Sequence, residues 1–480
     1  MKNKLLFSIL LSFVLFSAVT FGQQLKFAKD GMAILKGKRT FMIGLYETPE
    51  NDRILKQVSE AGFTIVAVPF KDSVATKMEL DKLSSAGLGA WISGPFDLSL
   101  NAEKGKNRLM NMVRNFGSHS ALLAWEVPDE ALWNVSTKAY DYRTGKEIKL
   151  FEEAIKTVKD SDKRKAFEAK VKEISAAYTE ADIARGQEAA DALWLELGKK
   201  IPAEDFSLIA APQRSIEVAN GIKSGYDYVK SIDPFHHPVF MNHAPRNQIA
   251  KLALYNRAAD IVGCDIYPYP EYKTEHSDLV DHSLASVGGY TQRMRQSAPG
   301  KPVWMVLQGF GWGDYFMSVA NIDKREELPP PPLSQTRFMA FDAIVNGARG
   351  VNYWGTYIAD KETKIWKDIL SIAHELNHLQ PVLSALDAKI KPEIALEESF
   401  NSFDQSIKLL PKQVGKEIWF IVVNENRNKN TVVYKLNKLN RLNGLVYQEQ
   451  LTGKRVTVEN GSLRFPIGGY GVHILKPIGR

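Results

Sequence analysis

Only one cysteine, Cys264, occurs in 480 residues, so no intramolecular disulfide can form even in an oxidising compartment. Histidine is scarce too, nine in all. No His, Cys or Asp spacing matches a metal-ligand pattern, and no cofactor is expected. Neither a Gly-x-Ser-x-Gly nucleophile turn nor a phosphate-cradling glycine loop occurs. The 62 basic residues barely outnumber the 55 acidic ones, for a net charge of +7. With no dense basic run carrying interleaved aromatics, a nucleic-acid partner is not expected. The mild excess is compatible with an acidic substrate without arguing for one.

Long apolar runs are lacking beyond the first residues, "MKNKLLFSILLSFVLFSAVTFGQQ". There Lys2 and Lys4 precede an apolar stretch from Leu5 to Val19, and Gly22 stands at a plausible cleavage point. That is the pattern of a secretory signal over residues 1–22. It is shorter than the ~20 apolar residues of a membrane span. No cysteine follows it to carry a lipid, so the expected destination is secreted or periplasmic, without a stable membrane anchor.

What the chain does have is alternation. Eight short apolar runs are read as strands: "FMIGLY" (41–46), "FTIVAVP" (63–69), "LGAWIS" (88–93), "ALLAWEV" (121–127), "HPVFMNH" (237–243), "DIVGCDIYP" (260–268), "KPVWMVLQ" (301–308) and "GVNYWG" (350–355). Amphipathic stretches separate them. The first of these is expected to begin with Thr48 as N-cap and Pro49 in the first turn, and to end at Gly62. Strand–helix alternation calls for parallel strands, and eight such units favour a closed (β/α)8 barrel. Residues 23–387 are assigned to it. In such a barrel the active site assembles at the C-terminal ends of the strands.

Two segments interrupt the pattern. Residues 135–210 are charged and helical, with Phe167, Val171, Ile174 and Tyr178 forming one apolar stripe. Following the fourth strand, they emerge on the catalytic face, either as a wall of a substrate groove or as a solvated helical hairpin. Residues 311–333, with "GWGDYF" and "LPPPPL", read as a long irregular loop. From about 388 to 480 short alternating strands separated by turns such as Glu459–Asn460–Gly461 predict an antiparallel β-sandwich. It lacks the surface aromatics of a sugar-binding module and reads as a packing domain.

The chemistry concentrates in "LLAWEVPDEALW", Leu122 to Trp133. Asp129 suits the N-cap of the next helix, which explains one acid of the pair but not Glu130. A carboxyl in a partly apolar barrel mouth, beside Asp129 and near Trp125 or Trp133, has a raised pKa and is poised as a general acid. Glu126 either points into the mouth or pairs with a base.

"WEVPDE" resembles the ending of the fourth strand in clan A glycoside hydrolases, a group of (β/α)8 retaining enzymes. "DPFHHPVF", "ADIVGCDIYPY", "GKPVWMVLQGFG" and "FMAFDAIVNGARGVNYWG" are similar to a bacterial branch of that group. The resemblance implies a glycoside hydrolase acting on a poly- or oligosaccharide, with Glu130 as the acid and Trp354 stacking on a sugar ring. It departs at strand seven, where the implied glutamate nucleophile is replaced by Gln308. A neutral amide cannot form the covalent glycosyl intermediate, so the usual carboxyl pair is broken.

Three readings stand. Another carboxylate takes over, with Asp265 first, then Glu47 and Asp314, and water attacks with inversion. Alternatively the substrate supplies its own nucleophile, such as an acetamido group oriented by Asp129. Or the barrel is a non-catalytic carbohydrate-binding or scaffold protein. In each case Tyr267, Tyr269, Trp312, Tyr353 and Trp354 near strand ends offer faces for sugar rings, and Asn242, His243 and Asn352 offer hydroxyl partners. Glu47, Trp125, His243, Tyr267, Gln308, Trp312, Tyr353 and Trp354 are the substrate-binding candidates, and Glu130, Asp265 and Asp129 the catalytic ones. Nothing in the sequence speaks to oligomeric state.

Overall fold

The computed structural model describes residues 25–274, 276–398, 406–427 and 431–479. The proposed signal segment, 1–22, lies outside the described residues. Eight parallel strands close into a barrel: β1 (Met42–Leu45), β2 (Ile65–Val68), β3 (Gly89–Ser93), β4 (Leu122–Glu126), β5 (Val239–His243), β6 (Ile261–Ile266), β7 (Trp304–Gln308) and β8 (Gly350–Trp354). The closing pair, β8 and β1, sets Asn352 beside Gly44. Gly44 has no alternative there, since an added Cβ would sit 1.8 Å from Asn352 Oδ1. A three-stranded antiparallel sheet (residues 26–40) precedes the barrel.

Side-chain direction along each strand alternates, and this parity divides the core in two. Met42, Ile65, Trp91, Ala124, Phe240, Ile261, Trp304 and Val306 fill the barrel interior. Ile43, Val66, Ile92, Trp125, Met241, Val262, Met305, Leu307, Val351 and Tyr353 face the helical layer. The helix Asp52–Ala61 shows how that layer docks. Ile54 and Val58, one turn apart, are fully buried, each contributing roughly 1.5–3 kcal/mol. Its N-cap is Asn51, whose side chain accepts the Ile54 N–H at 3.0 Å, and not Thr48, whose hydroxyl donates to the Ala67 carbonyl across the strand end. Gly62 terminates the helix in the left-handed region, at φ 90°.

The insertion after β4 folds as helices Ala131–Asp141, Glu147–Lys156, Ser161–Thr179 and Ile183–Glu196. They enclose a separate core of Phe151, Phe167, Val171, Ile174, Tyr178, Leu193 and Trp194. Buried Arg143 bridges Glu147 and Asp191 beneath it. The segment expected to be an irregular loop at 311–333 begins instead with a helix, Trp312–Ala320.

Beyond the barrel, a six-stranded and a three-stranded antiparallel sheet pack face to face over Phe420, Val422, Tyr434, Leu436, Tyr447 and Phe465. The sandwich is not independent of the barrel. Trp419, Ile421, Val423 and Ile474 join the barrel's outer core, and the Tyr470 hydroxyl donates to Glu271 in the loop after β6. Among the described residues no helix is long and apolar enough to cross a membrane.

Candidate active site

Parity aims Tyr46 (just past β1), Glu126, Asn242, Asp265 and Trp354 into the mouth of the barrel at its C-terminal end. The turn after β4 adds two more acids. Pro128 and Asp129 lead into Glu130, whose backbone is left-handed at φ 49°. Glu130, not Asp129, is therefore the residue preceding the helix Ala131–Asp141, and no side chain caps that helix. The expectation that Asp129 caps is overturned: its carboxylate bonds the Glu130 N–H beside it and its main-chain carbonyl accepts from Asn134, but it caps no N–H inside the helix. The same carboxylate turns into the cleft.

The cleft encloses about 350 Å3 and is lined by Asp129, Glu130, Trp133, Asn242, Ala244, Pro245, Arg246, Asp265, Tyr267, His276, Trp312, Tyr315 and Trp354. A connected polar network runs across its floor. Tyr46 donates its hydroxyl to Glu126 in a short contact and also reaches Asp129 Oδ1 at 3.3 Å. Asn242 Nδ2 donates to Asp129 at 3.0 Å and lies 3.4 Å from Asp265 Oδ1. The Glu130 and Asp265 carboxyls are in hydrogen-bonding contact with each other.

Burial raises every one of these acids. Desolvation, with the Asp129 charge added, pushes Glu126 well above the carboxylate range. Asp129 itself is raised by the protein crowded behind it, against the hydrogen bonds from Asn242 and Tyr46 that favour its charged form. Asp265, only 2% exposed, is pushed well up by burial and by the Glu130 and Asp129 charges. Glu130 is raised to about 7 by burial and then by Asp129. Two carboxyl groups in contact cannot both ionise, so the pair shares a proton.

His276, from the loop after β6, has its Nε2 3.8 Å from Asp265 Oδ2. Its Nδ1 accepts the Tyr267 backbone N–H at 3.1 Å, which leaves the ring proton on Nε2, facing the acid. Burial and then the Arg246 charge hold this imidazole neutral, lowered to about 3. Tyr267 is sandwiched between His276 and Trp354, at ring separations of 4.8 and 5.3 Å and near-parallel. Both its faces are occupied, so it supports the Trp354 platform and does not itself offer a face to a sugar. Trp312 is fixed by its indole N–H on the Tyr267 carbonyl, 3.1 Å.

Several sequence-derived candidates lie elsewhere, for one reason: parity or a competing partner. Trp125 points outward and donates to Asp233 Oδ2 at 2.9 Å. His243 also points outward, its Nε2 2.8 Å from Asn256 Oδ1, and burial lowers it to about 4. Tyr353 is fully buried in the outer layer. Glu47 is locked by Thr356, at 2.6 Å, and by an ion pair with Lys361. Asp314 sits on the helix Trp312–Ala320 and is not among the cleft-lining residues.

Gln308 has inward parity but does not line the cleft. Its Oε1 accepts the Tyr269 N–H at 3.0 Å, and its Nε2 donates to the carbonyls of Tyr269 (2.8 Å) and Phe310 (3.1 Å). The amide clips the loop after β6 onto β7, a task that needs donor and acceptor together and that no carboxylate can perform. Asn352 is buried within the barrel beside Gly44, away from the lining.

Cleft residues that escaped the sequence candidates include Tyr46, Arg246, His276 and Tyr315. Tyr46 was accessible, since it continues the inward series Met42, Gly44, Tyr46. Arg246 and His276 stand on irregular loops where no periodicity applies. The insertion contributes Trp133 from its first helix, while its own hydrophobic core lies apart from the lining. Among the described residues, no cluster of His, Cys, Asp and Glu could hold a metal ion.

The chain matches no protein-family model and no curated protein sequence. Its structure is similar to that of solved glycoside hydrolases at very low sequence identity. A family 5 glycoside hydrolase from Bacteroides vulgatus aligns with TM-score 0.53 and 11% identity, over 95% of this chain and 93% of that one. A β-galactosidase from Bacillus circulans aligns with TM-score 0.52 and 10% identity, over 92% and 99%. A catalytic mutant of a family 42 β-galactosidase from G. stearothermophilus gives 0.50 and 8%, over 92% and 98%. These likenesses establish the (β/α)8 barrel fold with a C-terminal β domain.

Proposed function

We propose that this protein is an exported glycoside hydrolase in which Glu130 is the general acid. The observation that carries this reading is the Glu130–Asp265 contact at the strand ends. It keeps a proton on the pair near neutrality in a cleft flanked by indole rings. A sugar ring lies against Trp354, whose position is set by Tyr267 behind it. The glycosidic oxygen takes the Glu130 proton as the C–O bond breaks, and positive charge grows at the anomeric carbon.

Asp265 is not the opposing base in this reading. Inverting glycosidases need roughly 6.5–9.5 Å between carboxyls and retaining ones roughly 5–5.5 Å, whereas Glu130 and Asp265 touch. Asp265 instead shares the proton with Glu130, its hydrogen bond opposing the burial and the Asp129 charge that raise Glu130. The second group is Asp129, open to the cleft, with Tyr46 and Asn242 both bonded to its Oδ1. It either accepts a proton from the attacking water, which inverts the anomer, or orients a nucleophile carried by the substrate, which retains it.

A panel of polysaccharides and glycosides, assayed for released sugar with wild type and Glu130→Gln, tests the reading. Hydrolysis that Glu130→Gln abolishes is the expected result, and NMR of the first anomer formed then separates the two courses. No turnover by either protein, with sugar bound by both, would leave a non-catalytic glycan-binding barrel.

A further inference from the structure

The floor of the cleft is acidic, but its rim carries a cation that no acid among the described residues claims. Arg246 stands on the turn after β5 with a left-handed backbone, φ 63°. The turn is anchored from below: the Arg246 N–H donates to the Tyr290 hydroxyl at 3.3 Å, that hydroxyl donates to Asp278 at 2.5 Å, and Asp278 is bound by Arg293 at 2.8 Å. The Arg246 guanidinium lies over the Trp133 ring, 4.7 Å from its centroid. Both residues line the same cleft as Glu130 and Asp265.

Among the described residues no carboxylate comes within 4.0 Å of this guanidinium. Four other arginines, Arg39, Arg143, Arg293 and Arg337, each meet a carboxylate within 3 Å. Glu130 and Asp265 share a proton, so the pair carries at most one negative charge near neutrality. A guanidinium held over an indole ring still presents its N–H donors as a planar fork. That geometry matches two oxygens of a planar or tetrahedral anion.

Resting on the hydrolase reading above, we propose that Arg246, braced on Trp133, receives an anionic substituent of the sugar, so that the cleft selects acidic glycans. Two sources share this chemistry, the carboxylate of a hexuronic acid and a sulfate ester.

The test uses Glu130→Gln as a binding-only background, alone and combined with Arg246→Gln or Arg246→Lys. Each protein is titrated calorimetrically with uronic-acid oligosaccharides, sulfated oligosaccharides and their neutral counterparts, at low and high salt. The expected result is about tenfold or more tighter binding of one acidic class over the neutral one. Arg246→Gln erases that preference, and Arg246→Lys, which keeps the charge but not the fork, restores part of it. Whichever class is preferred identifies the substituent. Equal binding of acidic and neutral sugars, or a preference that survives Arg246→Gln, overturns the proposal. Hydrolysis of neutral glycosides indifferent to Arg246→Gln would remove the selectivity while leaving the hydrolase reading intact. Acidic glycans bound through Arg246 without any turnover in the wild type would do the reverse.

Discussion

Glu130, on the turn after β4, and Asp265, at the end of β6, hold one proton between them. They come from strands separated by β5, whose Asn242 amide lies between Asp129 and Asp265. Loss of that shared proton would leave two negative charges in contact in a poorly solvated cleft.

The pH dependence follows directly. With Glu130 raised to about 7 and needed in its acid form, kcat/KM should be greatest just on the acid side of that value. It should decline at lower pH as Asp129, itself raised by burial and needed charged, takes up a proton. Above the Glu130 value, the rate should fall about tenfold per pH unit. A pH–rate profile with a cleaved glycoside checks this. A rate that climbs through neutrality would instead mark Glu130 as a base.

Burial is the largest cause of the Glu130 shift and the Asp129 charge the next. Asp129→Asn removes the second and leaves the first, so the falling limb should move to lower pH by about one unit. Its kcat should also drop. The displaced limb separates electrostatic coupling from mere loss of activity; a limb that stays in place contradicts it.

Gln308→Glu restores the residue type implied at strand seven, yet it should not create a nucleophile. The side chain is fully buried and its NH2 group donates to two main-chain carbonyls. A carboxylate there would face those oxygens, at a cost of roughly 2–4 kcal/mol. Thermal denaturation should show a lower Tm, without new retaining activity. An unchanged Tm together with a trapped covalent glycosyl-enzyme would refute this account.

A second buried acid, Asp342, joins the barrel to the sandwich. Burial and then Glu425 push Asp342 well above the carboxylate range, and Asn346 donates to both, at 3.0 and 3.2 Å. Asp342 is raised above its unfolded value of about 3.9, so its contribution is fully present below that pH. It is lost as pH rises toward the folded value. Asp342→Asn should flatten the decline of Tm between pH 5 and 8; parallel slopes for the two proteins would exclude Asp342 as the source.

Much of this architecture is legible in the chain before any coordinates. The eight apolar runs become β1 to β8 with ends shifted by a few residues, because short buried strands between amphipathic helices admit few other arrangements. The acidic turn at 129–130 is legible too. What misled was chemistry read without direction: Trp125, His243 and Tyr353 end strands as a binding residue would, but they stand on the outward parity. Counting by twos from Met42, Ala124 or Phe240 separates them from Tyr46, Glu126 and Asn242. No such count assigns Gln308, whose partners belong to a loop some 40 residues away in sequence.

Local order in the chain thus settles the barrel, its chirality of connection and the strand ends that carry acids, since hydrophobic period and steric preference act between near neighbours. Folding alone settles that Glu130 meets Asp265, that Gln308 is consumed by Tyr269 and Phe310, and that Arg246 comes to lie over Trp133. The first two outcomes depend on which polar group arrives within hydrogen-bond reach after the barrel closes, and a contact of about 3 Å between distant segments leaves no periodic trace in the sequence.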